Sequence, residues 1–376
     1  MVNGFFKPKS FHFQWHVTEK CNLKCGHCYF EPELLKNELS TKQLFGVFEQ
    51  YLELIKQWGL SRENNRISIT GGEPLMRKDL FELIQKFHEH KDKTRYSLMT
   101  NGTTLNEEHA EKLKELEVGN VQVSLEGLEK TNDSIRGKES FEKAVNGIKI
   151  LLENGIDISV SMTVTNANLQ EVPAMIEFCK AKGISFLGIR RLVPLGRGEK
   201  MRGLMLSPEQ TKQLYDYIYG KNFELKEKKS GLKIGIGCED GLLAQNHHYK
   251  PKACSAAYNS LTMLPNGDVY PCRRLPVKAG NALEKSLGEI YYGSRELVEL
   301  RNLNNAHESC RQCPYWIECR GGAKCVSRGY FGNAFAPDPQ CWRLFSELSL
   351  EAFKTVKKTE SRLNEELIRR DANAEK

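Results

Sequence analysis

Three thiols stand close together in the run Cys21-Asn-Leu-Lys-Cys25-Gly-His-Cys28-Tyr29, directly after the apolar stretch Phe11 to Val17. Three thiolates on one loop can hold three irons of a 4Fe–4S cube and leave the fourth iron open to a small molecule. An iron with an open position can bind a cofactor or substrate and pass an electron straight into it, which a fully ligated electron carrier cannot do. A second set, Cys238, Cys254, Cys272, Cys310, Cys313, Cys319, Cys325 and Cys341, is eight thiols. That is the number needed to fill two four-iron clusters completely. Zinc is the competing occupant, since short Cys spacings also suit a tetrahedral ion and His27 is available as a fourth ligand for the first set. The twelfth cysteine, Cys179, sits in the apolar helical pattern Val172 to Cys179 and reads as a buried, inert thiol.

The first loop resembles the cluster loop of the radical SAM enzymes, including the aromatic Tyr29 after the third cysteine. The resemblance implies that S-adenosylmethionine (SAM) chelates the open iron and is split reductively to a 5′-deoxyadenosyl radical that abstracts hydrogen from unactivated C–H bonds. Thr70-Gly71-Gly72-Glu73-Pro74 resembles the family's motif that receives the amino group of SAM. Glycines let backbone approach a ligand, and Glu73 can accept from an ammonium. By the same resemblance Asn101 and Ser124 would make polar contacts to SAM, and Arg136 would stand near its carboxylate. The basic, glycine-rich run Arg190 to Gly198 could line the mouth of the site.

The later cysteines are similar to those of the SPASM extension. Cys310, Cys313, Cys319 and Cys341 would hold one auxiliary cluster, and Cys238, Cys254, Cys272 and Cys325 the other, giving three 4Fe–4S clusters in all. One departure is the position four residues after Cys319, which is Ala323 rather than cysteine. Cys325 is expected to substitute, with Gly321-Gly322 allowing the loop to shift. These clusters could relay electrons, hold substrate, or serve as the core of a module with little apolar core of its own.

The elements that must position these groups are legible as alternation. From Phe11 to Arg190 short β-branched runs alternate with longer helical patterns, the signature of parallel β/α units. Strands are expected at 12–17, 66–70, 96–100, 121–125, 158–164 and 185–190, which makes a partial (β/α)6 TIM-like barrel of the α/β class with the motifs at the C-terminal ends of its strands. Ser40 with Gln43, and Ser207 with Pro208 and Gln210, are helix starts. Asn266-Gly267 between apolar runs predicts a hairpin. The expected organisation is a radical SAM barrel over 1–200, a bridging helix and linker over 201–235, a small cysteine-rich α+β SPASM domain over 236–345, and a C-terminal helix with a charged tail over 346–376.

Composition bounds the rest. The chain has 376 residues and a formal net charge of +7, with basic residues interleaved among acidic ones. That pattern does not call for a nucleic acid, and no aromatic-and-basic single-strand platform stands out. No apolar run spans a membrane and no signal peptide opens the chain, so the expected location is cytoplasmic, where thiols stay reduced and ligate metal rather than pair. The resemblance implies a maturase acting on a peptide or protein substrate and giving an oxidised or cross-linked residue, with flavodoxin or ferredoxin as reductant. The alternative is a tetrapyrrole-modifying enzyme of haem or haem d1 biosynthesis. An iron–sulfur protein without catalysis is disfavoured by the open iron. Sulfatase-maturing relatives carry an aspartate beside the cysteine that corresponds to Cys272, whereas Arg273 and Arg274 follow it here. About twenty residues precede Cys21, so a leader-binding partner is expected to be a separate chain.

Overall fold

Alternation along each strand decides the architecture of this computed structural model, which describes residues 6–30, 37–237, 241–242 and 253–345. In β1 (Phe11–His16) the odd residues Phe11, Phe13 and Trp15 pack outward against Tyr51 and Trp58 of the helix α1 (Thr41–Trp58) and against Phe87, and His12, Gln14 and His16 point the other way. Burying such aromatic side chains is worth about 1.5–3 kcal/mol apiece, so the outward face fixes which way the strand lies.

The same period of two runs through β2 (Asn65–Thr70), β3 (Arg95–Thr100), β4 (Val121–Ser124), β5 (Ile158–Val164) and β6 (Phe186–Arg191), all parallel and paired in sequence order. Ile67 and Ile69, Val121 and Val123, and Val160 and Met162 go to the helices and are fully buried. Ser68, Thr70, Met99, Gln122, Ser124, Ser161 and Thr163 fall on the other face. Parallel strands covered on both faces read as continuous apolar runs, so this alternation marks an interior face that carries polar side chains.

All six expected strands are present within one residue of their expected limits. A seventh parallel strand, β7 (Lys233–Ile236), extends the sheet beside β6. On the other edge the expected hairpin, β8 (Ser260–Met263) and β9 (Asp268–Tyr270), turns at Gly267 with φ 87°, and β10 (Gly280–Asn281) pairs with β9. The hairpin does not stand apart, because β8 pairs in parallel with β1, from His12 opposite Ser260 to Trp15 opposite Met263. One sheet of ten strands therefore runs β10-β9-β8-β1-β2-β3-β4-β5-β6-β7, with residues of the cysteine-rich part on one edge.

The helices between the strands are α2 (Leu80–His88), α3 (Glu107–Glu115), α4 (Glu129–Arg136), α5 (Ser140–Glu153), α6 (Val172–Ala181) and α7 (Pro208–Glu227). Ser40 and Ser207 both make the expected capping boxes, their hydroxyls accepting from the Gln43 and Gln210 amides. Cys179 is buried on α6, as expected. Beyond the hairpin come α8 (Leu287–Gly293) and α9 (Arg295–Arg301), then the short helices α10 (Glu308–Arg311), α11 (Trp316–Cys319), α12 (Lys324–Phe331) and α13 (Trp342–Phe345). Cys238 and the C-terminal helix expected over 346–376 lie outside the described residues.

Candidate functional site

The cysteine loop leaves β1 at its C-terminal end and is sewn to the next strand's exit by backbone. Gly72 N–H donates to the Thr18 carbonyl at 2.8 Å and Glu73 N–H to the Lys20 carbonyl at 2.7 Å. A Cβ on Gly71 would sit 2.4 Å from the Thr18 oxygen, and one on Gly72 would sit 2.4 Å from the oxygens of Glu19 and Lys20. These glycines are therefore required by the approach of two chain segments, and both also line the cavity at the strand ends. Cys21, Cys25, Cys28 and Tyr29 line the same cavity.

Glu73 is fully buried and turned into the protein. One of its oxygens accepts from the Thr100 hydroxyl at 2.7 Å and the Leu75 amide at 3.2 Å, the other from the Asn101 amide at 2.8 Å. Burial pushes its carboxyl upward in pKa, against these donors. It joins the exits of β2 and β3, and Pro74 begins the turn that follows. Asn101 donates to the Asn22 side chain at 2.9 Å and so ties the cysteine loop to β3. Ser124 lines the cavity from the end of β4.

Arg136 closes α4 over the loop. Its guanidinium donates to Glu126 and reaches Cys25 Sγ at 3.8 Å, and Gly26 N–H donates to the Ile135 carbonyl at 2.8 Å. His27 Nε2 lies 3.1 Å from Glu126, which engages the side chain that a zinc site would have used. Burial would raise the Glu126 carboxyl, but His27 and Arg136 beside it hold it down at about 2. Sequence reasoning passed over Glu126 although it stands in the same Ser124-Leu-Glu126-Gly run. Its signal was an acidic residue just past a strand whose neighbours are apolar.

The exit of β6 also closes on the loop. Arg197 Nε donates to the Cys25 carbonyl at 2.9 Å, Gly198 N–H to the Cys28 carbonyl at 3.2 Å, and a Cβ on Gly196 would meet the Tyr29 backbone at 2.8 Å. From the far edge of the sheet, Arg273 and Arg274 reach the same cavity, with the Arg273 guanidinium 5.6 Å from the centre of the Tyr29 ring. Arginines 136, 190, 191, 197, 273 and 274 line this cavity, and Glu126 is its one acidic lining residue among the described residues.

The late thiols gather in the last hundred described residues. Cys310, Cys313, Cys319 and Cys341 lie near one another: burial does most to push Cys310 and Cys319 up to about 12, neighbouring thiols add to it, and Cys341 is raised by burial with Cys313 close by. Cys325 is buried in the first turn of α12, after Gly321 and Gly322 at φ 84° and 78°. Cys254 is buried, and Cys272 lies beside Tyr29. Burial also holds Cys21 at about 11. Buried thiols of this kind ionise when metal binds, so ligation would release protons. Among the described residues no three of His, Cys, Asp and Glu close around a single ion. A cubane asks something else of a loop, one thiolate for each of several irons, and the three thiols on one cavity wall fit that demand.

Residues 15–179 match the model of the radical SAM superfamily, and residues 254–314 that of an iron–sulfur cluster-binding domain, SPASM. The chain is 31% identical to Fe-coproporphyrin III synthase of Methanosarcina barkeri over 92% of its own length and 90% of that protein's, and 31% identical to the mycofactocin maturase MftC of Mycolicibacterium smegmatis over 87% and 81%. Among solved structures it resembles Streptococcus suis SuiB bound to S-adenosylmethionine, with a TM-score of 0.71 at 19% identity, 88% of this chain and 77% of that one. The chain belongs to the radical SAM superfamily, with a C-terminal SPASM iron–sulfur domain. It is accordingly a SAM- and 4Fe–4S-dependent enzyme whose chemistry generates a 5′-deoxyadenosyl radical. No described helix is long and apolar enough to cross a membrane.

Proposed function

We propose that this enzyme abstracts hydrogen from a residue of a peptide or protein substrate, giving an oxidised or cross-linked side chain. The observation that carries the reading is the polar interior of the barrel. Thr70, Gln122, Ser124, Ser161 and Thr163, one or more from each of three strands, line the cavity with hydroxyl and amide groups. An extended peptide carries a donor and an acceptor at every residue and can use such walls, whereas a flat macrocycle needs apolar faces to lie against. The mycofactocin maturases among the relatives fit the same reading.

In this reading Cys21, Cys25 and Cys28 hold the SAM-binding cluster, and Gly71, Gly72, Asn101, Ser124 and Arg136 bound the SAM site. Tyr29, Glu73 and Pro74 shape it. Cys254, Cys272, Cys310, Cys313, Cys319, Cys325 and Cys341, with Cys238, hold two auxiliary clusters. The bound cofactors supply the radical that takes the hydrogen atom. The protein's own work is to hold the loop by its backbone, keep the Arg136 charge in place through Glu126, and position substrate among the strand ends. An external flavodoxin or ferredoxin supplies the electron, and a separate chain binds any leader segment.

A second reading, a tetrapyrrole substrate, is favoured by the cavity's arginines, which would suit a macrocycle's carboxylates, and by the Fe-coproporphyrin III synthase relative. The test is anaerobic reconstitution followed by iron counting and a dithionite-driven assay for 5′-deoxyadenosine. About twelve irons, with deoxyadenosine from the wild type and none from the Cys21/Cys25/Cys28→Ala variant, is the expected result. Loss of two mass units from a short peptide encoded beside the gene would support the peptide reading, and turnover of a coproporphyrin would replace it.

A further inference from the structure

The loop after Cys272 brings one cation into the cavity that has no counter-charge among the described residues. Arg136 is spent on Glu126 and Arg191 on Asp338, with contacts of 3.1 Å and 2.7 Å. Arg273 has neither kind of partner. Its contacts are the Met99 thioether at 3.9 Å and the face of Tyr29, and no described carboxylate pairs with it. A guanidinium held between a sulfur and a ring keeps its fork of N–H donors available, and that fork matches a carboxylate in geometry.

A second observation sits next to it. His16 is fully buried, yet neither of its ring nitrogens has a hydrogen-bond partner. It pairs in register with Thr70, which lines the cavity, so both side chains leave the sheet on the interior face. Burial first, and then the nearby Arg273 charge, hold its pKa down at about 3. The ring is therefore neutral and carries one donor and one acceptor, on the interior face of the sheet and next to residues that line the cavity, Phe30 among them. A buried polar group left unpaired costs about 1–3 kcal/mol, so an orphaned imidazole beside an unpaired guanidinium reads as a site completed by a ligand.

We infer that Arg273 and His16 form a subsite for a carboxylate of the substrate. The inference rests on the reading of this cavity as the place where hydrogen is abstracted. It adds that the substrate is acidic where it docks on the β1 side, and that Arg273 orients it. The carboxylate could belong to an acidic peptide residue or to a tetrapyrrole side chain, and the same chemistry would recognise either.

The experiment is equilibrium binding to the reconstituted holoenzyme with SAM, in two arms. One compares a pool of decapeptides containing glutamate with the same pool carrying glutamine. The other compares coproporphyrin III with its tetramethyl ester. In one arm the acid is expected to bind about tenfold or more tightly than its neutral counterpart. Arg273→Gln should bring that ratio near one, Arg273→Lys should keep part of it, and His16→Phe should reduce it. A preference in the peptide arm supports the peptide reading, and a preference in the porphyrin arm keeps the subsite and replaces that reading. No preference in either arm, or a preference unchanged in Arg273→Gln, overturns the subsite. Uncoupled 5′-deoxyadenosine formation, measured on the same samples, reports whether each variant is folded and loaded and stands or falls separately from the subsite.

Discussion

Glu126 is the buried carboxylate that engages His27 of the loop and Arg136 above it, and its charge state carries a pH prediction. Its carboxyl titrates at about 2 in the folded chain instead of the ordinary 4.5. A depressed folded pKa means stability that is fully present above the unfolded value and is lost as pH falls through the folded one. Glu126→Gln should therefore cost a few kcal/mol at neutral pH, where Arg136 and His27 lose their anion, and the gap to the wild type should close between about pH 4.5 and pH 2. Urea unfolding of the metal-free protein at a series of pH values checks this, and a gap independent of pH would show that the loss is not electrostatic. Gly72 gives a different kind of prediction. Its added methyl would lie 2.4 Å from two carbonyl oxygens, which no rotamer can relieve. Gly72→Ala should separate the loop from β2, lowering both iron uptake by the three loop thiols and deoxyadenosine formation, whereas Gly46→Ala, with open space around it, should change neither.

At the scale of elements, the joint between β6 and the cysteine-rich part depends on one buried ion pair. Asp338 takes both guanidinium nitrogens of Arg191 at 2.8 and 2.7 Å, and it also accepts from the backbone of Ala323 and Gln340 at 2.8 and 3.0 Å. Gln340 in turn accepts from Arg191 and donates to the Leu206 carbonyl, which reaches the start of α7. Removing one partner of a fully buried pair leaves the other's charge uncompensated, at about 3–5 kcal/mol. Asp338→Leu should thus lower the midpoint of unfolding sharply. Arg191→Met should do so as well, and the double variant should recover only part of the loss because the two backbone donors remain unsatisfied. Thermal unfolding of the three variants tests the additivity. None of this joint was legible in the sequence, since Arg191 and Asp338 are 147 residues apart and pattern reasoning sees only near neighbours. What was legible has a local cause: the six strands from their alternation, α1 and α7 from Ser40 and Ser207, the hairpin from Asn266-Gly267. The seventh strand was missed because Lys233 to Ile236 is four residues with a glycine at its centre. The pairing of β8 with β1 was missed because register across 250 residues is set by the whole sheet, and the loop motifs came through because the chemistry of Cys and Gly is spelled in short runs.

For the whole molecule, the same sheet that joins the two parts also divides their stability. The strands β1 to β6 and their helices bury a continuous apolar core that includes Phe13, Trp15, Ile69, Val123, Val160 and Leu187, and β8 shares it through four residues paired to β1. The segment 308–345 has no comparable core. Its helices α10 and α11 are four residues long, far below the length at which a helix holds itself together, and buried thiols stand where apolar side chains would otherwise pack. Its order then has to come from the Asp338 joint and from whatever the thiols ligate, because metal binding to such a module is folding free energy. Iron removal should accordingly leave slow amide exchange in β1 to β6 and in β8, and produce fast exchange across Cys310 to Cys341. Native-state hydrogen exchange on the loaded and iron-free protein measures it directly. Uniform protection in the iron-free protein would mean that the segment folds on its own contacts, and that its auxiliary clusters are held by a scaffold already formed.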